Sequence, residues 1–348
     1  MMHTHDLLLY QTITPLHVGC GQDVGVVDLP VIRERTTGYP YIPGSGARGA
    51  LRAAFASPPG DESRRDELFG PEAGGDLDDR DVRYAGSVSI HDAKLLLFPV
   101  RSSPGVYVWL TAPTPLRRLV RDLDAFGIGL PDLRPDLDPL LAPDVGGERL
   151  LTSWEPEAET LCLEEYAYEA LGESEDVEAA RAELHRWSGA VANRLNNPYL
   201  EGRVVAVSDE AFRHFSQVAT VVQQHNKLTS AKTVAGTALF SLEAVPPEAV
   251  FYGLVGATES RWIEQAEERL APRAVLDRLR EGFLPRDGGD PPKEVPNPAH
   301  SAERGTFQIH LGGGEATGLG VTALVWPRFS QQTGAAEKKP RQEAGHAG

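Results

Sequence analysis

His17-Val-Gly-Cys-Gly-Gln-Asp-Val-Gly-Val-Val-Asp28-Leu-Pro-Val-Ile-Arg33-Glu-Arg35-Thr-Thr-Gly-Tyr-Pro-Tyr-Ile-Pro-Gly44-Ser45-Gly-Ala-Arg48-Gly-Ala-Leu-Arg52 holds a turn-rich loop, one carboxylate and a glycine-led helix. Its last part, Gly44 to Gly49, spells the G-x-G-x-x-G of a dinucleotide site, which works only between a central parallel strand and a helix. Here Tyr39-Pro-Tyr-Ile-Pro43 precedes it, and two prolines rule out a central strand. What remains is either an ordinary glycine turn before a helix, or a helix start whose backbone N–H groups suit a phosphate. From Asp28 to Arg52 four arginines stand against two acids, a net charge of +2 in a 348-residue chain of −16. Glycines, local positive charge and apolar surroundings point to a phosphate-bearing ligand beside one carboxylate.

Working outward, Asp6 to Thr14 predicts a strand that Pro15 ends. The Gly44 helix should run to about Ala56. Gly86–Ile90 and Lys94–Val100 read as strands about an acidic turn at His91-Asp92, and Gly105–Thr111 as another. Pro115–Leu123 is helical, Pro131–Glu148 a connecting loop and Leu161–Tyr166 a strand. Ser174–Arg194 predicts a helix with acids early and arginines late, as the helix dipole favours. Ser208-Asp-Glu caps a further helix to about Val218. Residues 219–242 form a polar ribbon, Gln223, Gln224, His225, Asn226, Lys227, Thr229, Lys232, bracketed by apolar pairs, which predicts a projecting hairpin. Ala249–Val255 is a buried strand and Glu259–Leu279 an amphipathic helix. Thr306–Leu311, the glycine loop Gly312–Gly320 and Val321–Trp326 form a closing hairpin, and residues 330–348 read as a disordered tail. Hairpin signals outnumber βαβ spacing, so the expected class is α+β with antiparallel sheet, in one domain over 1–329.

Composition excludes several function classes. No apolar run approaches a membrane span and the N-terminus lacks a secretory pattern, so a cytoplasmic protein without a membrane partner is expected. Two cysteines, Cys20 and Cys162, build no disulfide framework. The acidic total argues against charge-driven nucleic-acid binding but leaves room for a local basic groove. His3, His5, His17 and Cys20 match no zinc spacing. The acidic loop Asp76–Asp81 fails the calcium-loop pattern at its sixth and twelfth positions. No G-x-S-x-G elbow is present, and Gly312–Gly320 lacks the Lys-Ser/Thr of a P-loop. Asp28, between Val27 and Leu29, reads as a turn residue or as a base or metal ligand facing a phosphate. His17 reads as a structural histidine or as a second acid–base group.

Thr14-Pro-Leu-His-Val-Gly-Cys-Gly21, Gly25-Val-Val-Asp-Leu-Pro30 and Gly38-Tyr-Pro-Tyr-Ile-Pro-Gly-Ser45 open a series that continues down the chain. It runs through Leu68-Phe-Gly-Pro71, Ser87-Val-Ser-Ile-His-Asp-Ala-Lys-Leu-Leu-Leu-Phe-Pro-Val-Arg-Ser102, Leu163-Glu-Glu-Tyr166, Lys232-Thr-Val234 and Thr317-Gly-Leu-Gly320. Together these resemble the RAMP-type backbone subunit of type III-B CRISPR effector complexes. The resemblance implies an RRM-like (ferredoxin-like) antiparallel-sheet palm with helical insertions and a β-hairpin thumb at about 219–242. It implies partners: guide CRISPR RNA, target single-stranded RNA, stacked copies of the chain itself, and other RAMP and large subunits. It also implies cleavage of target RNA at regular intervals with a divalent cation, Mg or Mn, giving a 2′,3′-cyclic phosphate and a 5′-OH. By that resemblance Asp28 is the catalytic carboxylate and metal ligand, with His17 beside it. Arg33, Arg35, Ser45, Arg48, Arg52, Lys227, Lys232, Gly318 and Gly320 are the implied RNA contacts, and Leu228 or Val234 could wedge between bases. Whether Glu243 assists stays open. The competing readings are a non-catalytic guide-holding subunit and a stand-alone guide-processing ribonuclease.

Overall fold

β1 (Thr4–Thr12) carries the run Leu7-Leu-Leu-Tyr10, which has no polar alternation. The reason is that both faces of the sheet are covered: Leu7 and Leu9 enter one core, Leu8 and Tyr10 the other. In this computed structural model, which describes residues 3–21, 25–55, 63–71, 85–228, 234–261, 269–283 and 306–327, β1 lies between β12 (Val250–Ala257) and β14 (Val321–Val325), antiparallel to both. β13 (Thr306–His310) flanks β14, and β12 pairs on its other side with β4 (Ala93–Ser102). Two short strands complete this part, β2 (Tyr41–Ile42) on β4 and β3 (Val88–Ile90) on β12.

One face is covered by α1 (Gly44–Ala54) and α7 (Pro272–Glu281), through Ala47, Leu51, Val275, Leu276 and Leu279. The other is covered by α3 (Pro113–Ala125) and α5 (Glu175–Leu195), through Leu116, Leu119, Leu184 and Trp187. α1 connects β1 towards β4, and α7 connects β12 to the closing hairpin. The far half of β4 continues into a second wall: β5 (Val106–Thr111), β9 (Val204–Ala206), β6 (Arg149–Thr152), β8 (Tyr166–Ala170) and β7 (Thr160–Leu163). β7 returns to β4 at Ser102–Leu163, which closes that wall on itself. β5–β9 and β6–β8 are parallel; the other named pairs are antiparallel.

Mixed α and β structure with a mainly antiparallel sheet agrees with the sequence expectation. α6 (Asp209–Val218) starts where expected, the Ser208 hydroxyl accepting the Ala211 N–H at 3.1 Å. Four details differ. The expected strand at 161–166 is two strands, β7 and β8, because Glu164 turns the chain at φ +51°. The expected helix 259–279 is non-helical at 259–261 and 269–271, residues 262–268 lie outside the described residues, and α7 begins at Pro272, which lacks the N–H a helix interior would use. α2 (Ser63–Phe69) was not expected, nor was the one-turn α4 (Leu137–Leu140) inside the connecting loop. β6 and β9 are too short to read as strands before their partners are known. The acidic loop 76–81 and the tail 330–348 lie outside the described residues.

Candidate active site

β10 (Val221–Leu228) and β11 (Val234–Ala244) pair as a two-stranded sheet separate from the main one. Val222, Gln224, Asn226 and Leu239 on it are exposed. At its root the outer edge of β11 is occupied by the loop after Gly25. The Leu29 N–H donates to the Ser241 carbonyl at 3.0 Å, and the Glu243 N–H donates to the Leu29 carbonyl at 3.0 Å. A parallel ladder would next offer a backbone carbonyl to the Ser241 N–H. The Asp28 side chain takes that place: its Oδ2 accepts the Ser241 N–H and the Ser241 hydroxyl, each at 2.7 Å. The Ser241 Oγ in turn accepts the Asp28 N–H at 2.9 Å. Asp28 is exposed and Ser241 is 4% exposed, so a solvent-facing carboxylate is fixed by a buried residue. The Ser241 N–H first, then its hydroxyl, hold the Asp28 carboxyl below the ordinary aspartate range.

Glu243, 6% exposed, joins three parts of the stretch that opened the sequence. Its Oε2 accepts the Val31 N–H at 2.9 Å, its Oε1 accepts from Arg33 Nη2 at 2.5 Å, and its carbonyl accepts from His17 Nδ1 at 2.6 Å. Because a carbonyl only accepts, that last bond puts a proton on Nδ1 of His17. His17 is 8% exposed, and a Cβ on Gly19 would lie 2.7 Å from its Nε2, so the ring needs the glycine beside it. The Gly313 N–H donates to the His17 carbonyl at 2.9 Å. Gly312, at φ +73°, lies so close to that carbonyl that a side chain there would overlap it. Between Ser241 and Glu243, Leu242 points the other way and packs with Ala244, Leu319, Leu29 and Val221. Hairpin root, Asp28 loop and closing glycine loop therefore share one small core.

The structure brings His17, Asp28, Arg33 and the glycine loop together around Glu243; the remaining basic residues go elsewhere. Arg33 also donates to the Gly38 and Ser216 carbonyls at 3.2 and 2.9 Å, so its guanidinium is engaged inside the protein. Arg48 donates to the Phe69 carbonyl and lies over that ring. Arg52 donates to the Gly70 carbonyl at 2.6 Å and pairs with Asp66 at 2.8 Å. Both thus satisfy carbonyls at the C-terminal end of α2, where cations are favoured. At the start of α1 the Gly44 N–H donates to the Asp92 carboxylate at 2.7 Å, so an acid already occupies part of the expected phosphate seat; Ser45 beside it is exposed. Arg35 is exposed and makes no hydrogen bond or ion pair among the described residues. Lys227 belongs to β10 but its side chain, like all of Lys232, lies outside the described residues. Gly318 is exposed at φ +81°, while Gly320 is buried at φ +83°, its N–H donating to the Pro15 carbonyl at 2.9 Å. Among the described residues no three His, Cys, Asp or Glu side chains group to hold a metal.

Ser241 was missed in the sequence, and Glu243 was noted without a role. The available signal was two polar residues alternating within the apolar run Ala238-Leu-Phe-Ser-Leu-Glu-Ala-Val245.

The RAMP superfamily pattern matches residues 9–321. The CRISPR system Cmr endoribonuclease Cmr4 of Pyrococcus furiosus is 30% identical over 249 residues, 71% of this chain and 79% of that protein. The crystal structure of oligomeric Cmr4 from Pyrococcus furiosus aligns with a TM-score of 0.62 at 23% identity, covering 93% of this chain and 98% of that one. A chain of the type III-B Cmr-beta complex bound to cognate target RNA aligns with a TM-score of 0.65 at 19% identity, covering 93% and 97%. At these identities the structural likeness speaks to the fold.

Proposed function

The chain belongs to the RAMP superfamily, and we propose that it is the repeating guide-RNA-binding subunit of a type III-B CRISPR effector complex that cleaves target RNA at regular intervals. The observation that carries this reading is the exposed Asp28 carboxylate clasped to the root of a separate β-hairpin. The strand order β14-β1-β12-β4, with α1 and α7 as crossovers, supports an RRM-like palm, and β10–β11 is then its thumb. Copies of the chain stack along the guide with other RAMP and large subunits, and each thumb displaces one guide–target base pair.

Splaying a base lets the neighbouring 2′-OH oxygen attack the scissile phosphorus in line, so positioning supplies much of the rate. The 2′-OH loses its proton, the bond from phosphorus to the 5′ oxygen breaks, and that oxygen leaves protonated. The products are a 2′,3′-cyclic phosphate and a 5′-OH. With Oδ2 bound to Ser241, Oδ1 of Asp28 is the atom that can accept the 2′-OH proton or anchor a cation. Asp28 Oδ1 would be the protein group to hold Mg²⁺ or Mn²⁺, which bind through one or two carboxylates together with substrate phosphate. When bound the ion would supply charge neutralisation at the phosphate. His17, Glu243 and Arg33 hold the loop; Arg35, Ser45 and Gly318 remain exposed for RNA.

The test is product mapping with the reconstituted complex. Asp28→Ala should abolish the periodic cuts while target binding is retained. Cuts retained in that variant would leave a guide-holding subunit whose catalytic group lies elsewhere.

A further inference from the structure

All the hydrogen-bonding groups of Ser241 are directed at two residues of one loop. Its N–H and its hydroxyl donate to Oδ2 of Asp28, its Oγ accepts the Asp28 N–H, and its carbonyl accepts the Leu29 N–H. Oδ1 of Asp28 makes no hydrogen bond to another residue among the described residues. We propose that Ser241 is the positioning residue of the cleavage centre, binding one oxygen of Asp28 so that the other alone faces the RNA. The inference rests on the reading of Asp28 given above and deepens it.

Two features separate this arrangement from a chance surface contact. An exposed aspartate ordinarily samples several rotamers, but here two donors on one oxygen and a third bond to its own N–H fix both χ1 and the carboxylate plane. The support is also not local: Ser241 lies on β11, 213 residues along the chain, so the carboxylate is tied to the hairpin itself. A hairpin that displaces a base thereby delivers Oδ1 to the phosphate next to that base. Residues that orient a reacting group through such bonds are commonly worth about 10–100-fold in activity.

The test uses the complex reconstituted with guide RNA, and variants Ser241→Ala, Ser241→Cys and Ser241→Thr. Ala removes the hydroxyl, Cys keeps nearly the same volume with a weak donor, and Thr restores the hydroxyl. Single-turnover cleavage at saturating target should fall about 10–100-fold in the Ala and Cys variants, with target affinity unchanged, and recover to within about threefold in Thr. Hydrogen exchange of the Asp28 amide should accelerate in Ala and Cys but not in Thr, a readout independent of cleavage. The inference is overturned if Ala and Cys cut within twofold of the wild type while Asp28→Ala is inactive. It is equally overturned if their loss appears as weaker target binding with an unchanged single-turnover rate. If Asp28→Ala itself still cuts, the reading of Asp28 fails first, and the exchange measurement reports on the clasp separately.

Discussion

Replacing Glu243 by alanine removes two bonds at once and leaves one buried and one half-buried donor without their acceptor. The Arg33 guanidinium loses its partner at 2.5 Å, and the Val31 N–H loses its acceptor at 2.9 Å. Breaking a buried pair from one side costs about 3–5 kcal/mol, and orphaning a buried N–H about 1–3 kcal/mol. These are not additive here. The Arg33 side chain is 20% exposed and keeps its bonds to the Gly38 and Ser216 carbonyls, so water and those carbonyls recover part of the loss. A net cost of about 3 kcal/mol follows, which in a chain of 348 residues corresponds to a Tm lowered by about 4 °C. Glu243→Gln keeps an acceptor for Val31 and should cost about half as much. Thermal unfolding of the isolated protein measures both. Cleavage by the assembled complex should fall by less than for Asp28→Ala, because the backbone bonds from Glu243 to Leu29 and His17 survive both changes. A Tm within 2 °C of the wild type for Glu243→Ala would refute the view that this carboxylate holds the loop together.

Three further outcomes follow from the same geometry. Gly312→Ala puts a Cβ into the His17 carbonyl at a positive φ, and should destabilise by about 2–3 kcal/mol in chemical denaturation, with loss of cleavage in the assembled complex. Arg35→Ala should leave Tm unchanged yet reduce the salt dependence of RNA binding by about one unit of slope, whereas Arg52→Ala should lower Tm and leave that slope alone, as titrations at several salt concentrations would show. Burial works to raise the Asp122 carboxyl, but bonds from Lys94 and Arg121, with Tyr252, outweigh it and hold the group below the ordinary range. Since the folded value is the lower one, this contribution is present above about pH 4 and is lost as pH falls through the folded value. Asp122→Ala should therefore cost about 2 kcal/mol at neutral pH, by removing the carboxylate to which Lys94, Arg121 and the Tyr252 hydroxyl donate, and the part due to Lys94 and Arg121 should fade as pH falls through the folded value.

Features governed by neighbours along the chain were legible in the sequence. The Leu7–Tyr10 run, the Ser208 cap and the polar ribbon after Ala219, bracketed by apolar pairs, each state their own structure through burial, capping or composition. The antiparallel class followed from hairpin signals outnumbering βαβ spacing. Features that depend on a distant partner were not legible. The +2 charge of residues 28–52 reads as surface charge, yet Arg33, Arg48 and Arg52 are taken up by Glu243, Phe69, Gly70 and Asp66. β6 and β9, four and three residues long, exist because the closed wall offers them partners. The helix start at Gly44 was correctly placed, but the carboxylate that meets it comes from Asp92, 48 residues on.

The candidate site joins exposure with rigidity, two properties that normally exclude each other. A loop bearing Gly19, Gly21 and Gly25 has little stiffness of its own, and its carboxylate must stay open to solvent if it is to meet RNA. Stiffness is imported from β11, whose period of two presents Ser241 and Glu243 to the loop while Leu242 and Ala244 enter the small core with Leu29 and Leu319. Each feature supports the next: the core fixes the strand, the strand fixes the carboxylate, and the glycine loop closes over His17 from the far side. On the proposed function this explains how one carboxylate can suffice. The displaced base provides the in-line geometry, and the strand that displaces it also carries the acid. Moving Asp28 to another loop of equal exposure would therefore not preserve cleavage, because the acid would no longer travel with the hairpin.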